Sequence, residues 1–263
     1  KMLRSLWIAK TGMDGQQFNL DVISNNLANA QTTGFKKVIP MFQDLMYTTM
    51  RAAGASSNAQ NLLPTGLQIG AGAAVTGTER NNNQGTITNT GNKLDVAIKG
   101  NGFFQIQLAD GTTAYTRDGQ FSLSSSGQFV SQAGNTIAPG ITIPVEATGI
   151  TISTAGLVQY STQTTTTLTP VGSLTLANFA NPAGLVALGG GIFVPSPSSG
   201  TAQTQTAGTN GMGTTVQYFK EESNVNVAEE LVNLIAAQRA YEINTRAVTA
   251  SDQILQRLSN LGA

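Results

Sequence analysis

The chain has 263 residues, room for one large domain or two modest ones, and its 14 basic and 14 acidic residues cancel. Balanced charge gives no field to draw nucleic acid or an anionic membrane, and the absence of cysteine and histidine excludes disulfides, thiolate metal sites, Cys nucleophiles and the commonest general base. Charged residues make up only 11% of the chain, so its polarity comes from Thr, Ser, Asn and Gln.

The first thirty residues repeat in sevens. Leu6, Met13, Leu20 and Leu27 form one heptad position, and Ala9, Gln16, Ile23 and Ala30 the position three residues later. This pattern predicts a coiled-coil-like helix over residues 1–34, with Gly34 as its stop signal. Asn25, Asn26 and Asn29 are poor helix formers near its end. Asn19 and Asn26 are seven apart, as are Asn226 and Asn233, and amides at heptad spacing can fix register across an interface. The alternative is that these asparagines fray the helix before it stops. Lys10, Asp14 and Gln16-Gln17 interrupt any secretory h-region, and no run of 18 apolar residues exists to form a spanning helix.

Residues 35–70 read as a connecting region. Within it, about 47–66 is an exposed excursion rich in Ala, Ser, Asn and Gln, followed by the turn at Leu63-Pro64-Thr65-Gly66 and a possible strand.

From residue 71 to 219 the texture is β. Between Gly100 and Phe219 the charged residues are Asp110, Arg117, Asp118 and Glu146 alone. Short β-rich runs such as Phe103–Leu108 are punctuated by Asp110-Gly111, Asp118-Gly119 and Ser126-Gly127, the spacing of a meander, sandwich or barrel. Asp110 and Asp118 are the nearest approach to a carboxylate pair, but each precedes a glycine, where Asp serves the turn itself. Gly70-Ala71-Gly72 lacks the third glycine and the following helix of a dinucleotide loop. No cofactor and no metal site is expected.

Residues 220–263 contain the second heptad helix, placed at about 226–259. Val227, Leu234, Tyr241, Val248 and Leu255 are seven apart, Leu231 holds the partner position, and Asn226 with Glu229 reads as a capping box. The expected fold is α+β, with long N- and C-terminal helices forming a coiled-coil-like domain beside a central all-β domain rich in Thr, Ser and Gly.

Three blocks of residues carry a family resemblance. The first is Ser5–Met13 with Asp21–Asn29 and Thr33-Gly34-Phe35-Lys36. The second is Asp95–Phe104 with Tyr115-Thr116-Arg117-Asp118-Gly119. The third is Ser223–Val232 with Gln238–Glu242. Together they resemble the bacterial flagellar rod and hook (axial) proteins. The resemblance covers both ends and the first part of the middle, and is loose from about Ile150 to Gly213. Length and the 47–66 insert resemble rod members rather than the longer, bendable hook.

The resemblance implies a non-enzymatic structural subunit of the flagellar basal-body rod, crossing the periplasm. Copies would polymerise into a rigid helical tube that transmits torque. The implied partners are other copies of the chain, proximal rod and hook-side axial proteins, the surrounding ring proteins and the type III export apparatus, without nucleic acid and without membrane insertion. Phe42 and Met46 resemble a Phe-x-x-x-apolar export motif, although that spacing is also an ordinary helical contact. The alternatives are a hook or proximal rod subunit, or a secreted adhesive β protein with trimerising helices.

Overall fold

A computed structural model describes residues 2–53, 65–163 and 167–261. The chain divides into two compact units. One contains both terminal helices and Val38–Glu79, and the other contains Ala28–Lys37 and Arg80–Asn226.

The helical unit is built on α1, Met2–Ala28, and α2, Val227–Leu261. Their contacts run in opposite chain directions: a side chain at Gly12 would touch Asn244, Thr245 donates to Met13 Sδ, and Asn26 reaches Glu230. The helices are therefore antiparallel. Strand Val38–Asp44 pairs with Ala73–Arg80, and Tyr47–Arg51 pairs antiparallel with Leu67–Gly70. The insert read at 47–66 thus begins as one side of a β ribbon, and its residues 54–64 lie outside the described residues.

The fold is mostly β, and this corrects the expected α+β architecture with its coiled-coil-like domain. Strand predominates among the described residues, where α-helix is confined to α1 and α2. The heptads misled for a physical reason. On α2 the apolar seam residues Val227, Leu231 and Tyr241 stay 45%, 44% and 36% exposed. The residues turned inward are Glu230 and Ala237, and Asn244 approaches Gly12, so the repeat of seven that meets α1 is polar and small. Small residues let backbones approach without the interlocking apolar knobs of a coiled coil.

The β unit carries a nine-stranded sheet, a three-stranded sheet and two two-stranded ribbons. In the large sheet Phe103–Gln107 pairs with Thr113–Thr116, with Thr136–Ile137 and with Thr175–Asn178. Alternate side chains of a strand leave opposite faces, and Phe103–Gln107 uses both. Phe104 and Ile106 enter the main core with Phe121, Phe129, Ile137 and Leu176. Phe103 enters a smaller aromatic cluster with Tyr115, Phe179 and Phe193. Phe104 meets Phe121 edge to face at 5.1 Å, and Tyr115 meets Phe179 likewise at 4.8 Å, geometries that rings favour. The buried amide of Gln105 donates to the Thr204 hydroxyl at 3.1 Å.

Two turn pairs form hairpins as read, and the third does not. Asp110-Gly111 links Phe103–Gln107 to Thr113–Thr116, and Ser126-Gly127 links Phe121–Leu123 to Phe129–Ser131. Asp118-Gly119 joins strands that do not pair with each other. Gly119 is instead required because a Cβ there would collide with the carbonyl of Val96.

Candidate assembly helices and a buried charge cluster

α1 stops at Ala28, earlier than the predicted 34, because the next residues form their own turns. Thr32 donates its amide to Asn29 O at 3.2 Å and its hydroxyl to Asn29 Oδ1 at 3.1 Å. Gly34 follows with φ +69°, and its amide donates to the Glu221 carbonyl at 2.9 Å. The left-handed turn delivers Lys36 into the β unit.

There Lys36, Arg117 and Glu221 form an ion cluster with side chains 5% exposed or less. Lys36 Nζ donates to Glu221 Oε1 at 2.7 Å and Arg117 Nε to Glu221 Oε2 at 2.5 Å. The Gly85 amide also donates to Oε1, at 2.9 Å. The remaining donors meet carbonyls: Lys36 reaches Asn83 at 2.8 Å, and Arg117 reaches Gly100 at 2.6 Å, Ile98 at 3.2 Å and Gly102. Buried charges persist only when paired and hydrogen-bonded in this way. Burial alone would raise Glu221, but Arg117 and the Lys36 hydrogen bond outweigh it and hold the carboxyl below its ordinary value. Burial is the largest influence on Lys36 and leaves its amine lowered despite the same ion pair.

A second layer lies beside the first. Asn224 Oδ1 accepts the Lys37 amide at 2.7 Å, and its Nδ2 donates to Asn81 O at 2.9 Å and Asn83 O at 3.0 Å. The Asn81 amide donates to the Lys37 carbonyl at 2.8 Å. The sequence reading missed both layers. Its one available signal was Arg117, the lone cation between Gly100 and Phe219.

The residues singled out on the helices fall into distinct settings. Leu6, Met13, Leu20 and Leu27 on α1, and Leu234 and Val248 on α2, are half-buried. Val227, Leu231 and Tyr241 are exposed, and the side chain of Leu255 lies outside those described. Asn25 is exposed and Asn29 half-buried in the turn, whereas Asn26 is buried and bonded within its own chain. Phe42 lies on strand Val38–Asp44 rather than a helix, so the helical explanation of its spacing to Met46 does not hold. Met46 is 86% exposed.

The carboxylates weighed as catalytic candidates serve turns. Asp110 accepts from the Thr112 hydroxyl at 2.6 Å and its amide at 2.9 Å, and Asp118 accepts from the Gln120 amide at 3.0 Å. Burial raises Asp118, with Asp95 adding to the effect.

A protein of Buchnera aphidicola (subspecies Acyrthosiphon pisum) named flagellar basal-body rod protein FlgG is 49% identical over 260 residues, covering 99% of this chain and all of that protein. The chain belongs to the FlgG family of flagellar basal-body rod proteins. The FlgG of Caulobacter vibrioides is 45% identical over 98% of this chain and 99% of its own length. A hook protein FlgE of Helicobacter pylori is 40% identical over 51% of this chain, and the match takes in 19% of that protein. Three family profiles also match: the flagella basal body rod protein at residues 6–36, the flagellar hook protein FlgE/F/G D1 domain at 97–160, and the flagellar basal body rod FlgEFG C-terminal region at 216–261. In this FlgG-family chain each matched segment contributes one charge to the cluster: Lys36 from the first, Arg117 from the second and Glu221 from the third.

Proposed function

We propose that the chain is a structural subunit of the distal rod of the bacterial flagellar basal body, polymerising into a rigid helical tube that carries motor torque to the hook. The observation that carries the assembly reading is the outer side of α2. Val232, Ile235, Ile243 and Ile254 are each more than half exposed, and so large an apolar surface on one helix calls for a cover. Neighbouring copies supply that cover when a head-to-tail contact repeats without closing, which makes a filament.

The partners on this reading are further copies, proximal rod and hook-side axial proteins, the surrounding ring proteins and the type III export apparatus, with Phe42 and Met46 available to the last. The 47–66 insert stiffens the lattice. The chain acts as a structural element rather than an enzyme, in keeping with Asp110 and Asp118 each bound into a turn. A hook role fits less well, since the hook relative matches only half of the chain.

Electron microscopy of the concentrated purified protein tests the proposal. Tubes with helical symmetry are expected, and discrete closed oligomers would overturn it. Deleting 47–66 should yield a more flexible tube, and unchanged stiffness would remove the insert from the mechanism.

A further inference from the structure

The chain passes between its two units four times, between residues 27 and 28, 37 and 38, 79 and 80, and 226 and 227. Three of these passages have their β-unit ends in the charge cluster and the adjoining amide layer. The segment after α1 brings Lys36 and Lys37, the segment entering after Glu79 brings Asn81, Asn83 and Gly85, and the segment leading to α2 brings Glu221 and Asn224. Arg117 directly follows the large-sheet strand Thr113–Thr116, and besides Glu221 it donates to the carbonyls of Ile98, Gly100 and Gly102.

We infer that Glu221, Lys36 and Arg117 are positioning residues that join these three segments into one latch, which opens and closes as a whole. A single carboxylate is the common acceptor for Lys36, Arg117 and the Gly85 amide. Among the described residues none of these donors has a second carboxylate to turn to: Lys36 and Arg117 otherwise meet backbone carbonyls. Releasing the Glu221 segment strands two buried cations, and releasing either of the other segments takes from the buried Glu221 carboxylate a donor that it keeps only while all three stay docked, Lys36 Nζ from one and the Gly85 amide from the other. That penalty couples segments that are 104 and 185 positions apart in sequence. The consequence for a rod subunit rests on the proposal above: a twist entering through the connections reaches the sheet as one displacement instead of three separate slips.

Hydrogen exchange of the full chain, read amide by amide, tests the latch. Glu221→Gln, Lys36→Met and Arg117→Lys each alter a different segment. Each is expected to speed exchange at Gly34, Lys37, Asn81 and Gly85 together, by about a hundredfold or more for Glu221→Gln, while Phe104 and Ile106 keep their protection. Faster exchange confined to the substituted segment would overturn the latch, as would equal acceleration in the core. Lys36→Met leaves the Arg117–Glu221 pair intact and keeps the test open if Glu221→Gln does not fold. Rod counts in purified basal bodies separate the two readings. Lost rods with unchanged exchange would overturn the latch and spare the rod proposal, whereas coupled opening in a protein that forms only closed oligomers would do the reverse.

Discussion

Asn26 holds the backbone of Val38 as a strand neighbour would. Its Nδ2 donates to Val38 O at 2.8 Å and its Oδ1 accepts the Val38 amide at 2.9 Å, while Nδ2 also approaches Glu230 Oε2 at 3.4 Å. A side-chain amide has the same donor and acceptor as a peptide group, so one residue of α1 starts the strand that follows. The helix-propensity penalty of an asparagine is offset by satisfying two backbone groups.

Asn26→Ala should therefore damage folding first. It leaves the Val38 amide and carbonyl without their partner, at about 1–3 kcal/mol for each group that water cannot reach. Urea unfolding monitored on the helical unit should show a clearly lowered midpoint. An unchanged midpoint combined with lost polymerisation would instead assign Asn26 to contacts between copies.

Gly34→Ala should be strongly destabilising. The residue sits at φ +69°, and a Cβ would lie 2.9 Å from the backbone carbon of Arg117. Left-handed backbone alone costs a residue with a Cβ about 1–2 kcal/mol, and the collision adds to it. Thermal unfolding should fall by several degrees, and Gly66→Ala is no control because it too is crowded, against Ala53. Gly77→Ala, with open space around it, should change little.

Acid should find the cluster before it finds the aromatic core. Glu221 is held below the ordinary carboxylate value of 4.5 by the charges facing it, Arg117 and Lys36. Its contribution to stability is complete above 4.5 and is lost as pH falls through the lower folded value. Unfolding free energy of the wild-type chain should therefore drop below about pH 4.5, and Glu221→Gln should flatten that part of the curve. Lys36 acts at the alkaline end with a slope of the same sign. Its lowered amine means the unfolded chain binds more protons in the window below 10.5, so its contribution rises with pH there.

The exposed side of α2 should matter to assembly and not to folding. Ile235→Ser and Ile243→Ser remove apolar surface that is 57% and 65% exposed. Surface changes of this sort move stability by about 0.5 kcal/mol or less. The concentration needed for polymerisation should rise at least tenfold with an unchanged unfolding midpoint. Normal polymerisation by the double variant would place the contact surface elsewhere.

Local chemistry was legible in the sequence and long-range chemistry was not. α2 starts at Val227, directly after the asparagine read as its cap, and Asp110-Gly111 and Ser126-Gly127 make the hairpins their residues specify. Asp118-Gly119 looked identical, yet its glycine answers to the carbonyl of Val96, which no neighbouring residue announces. The heptads were real as periodicity, but period alone does not say which face is turned inward; Glu230 and Ala237 are buried while Val227 and Leu231 are not. The charge cluster was hidden for a simpler reason. Its members are distributed over three distant segments, and each alone reads as a solvated charge.

The antiparallel meeting of α1 and α2 also sets a timetable. Asn26 and Glu230 are 204 positions apart, so α1 can engage Val38 early but lacks its helical partner until almost the whole chain exists. A chain made from its N-terminus onward can complete the β unit's sheet while α1 still waits. The exposed apolar side of the last helix comes into being only at the final step, so on the proposed assembly a half-made subunit cannot yet offer that surface to a neighbour.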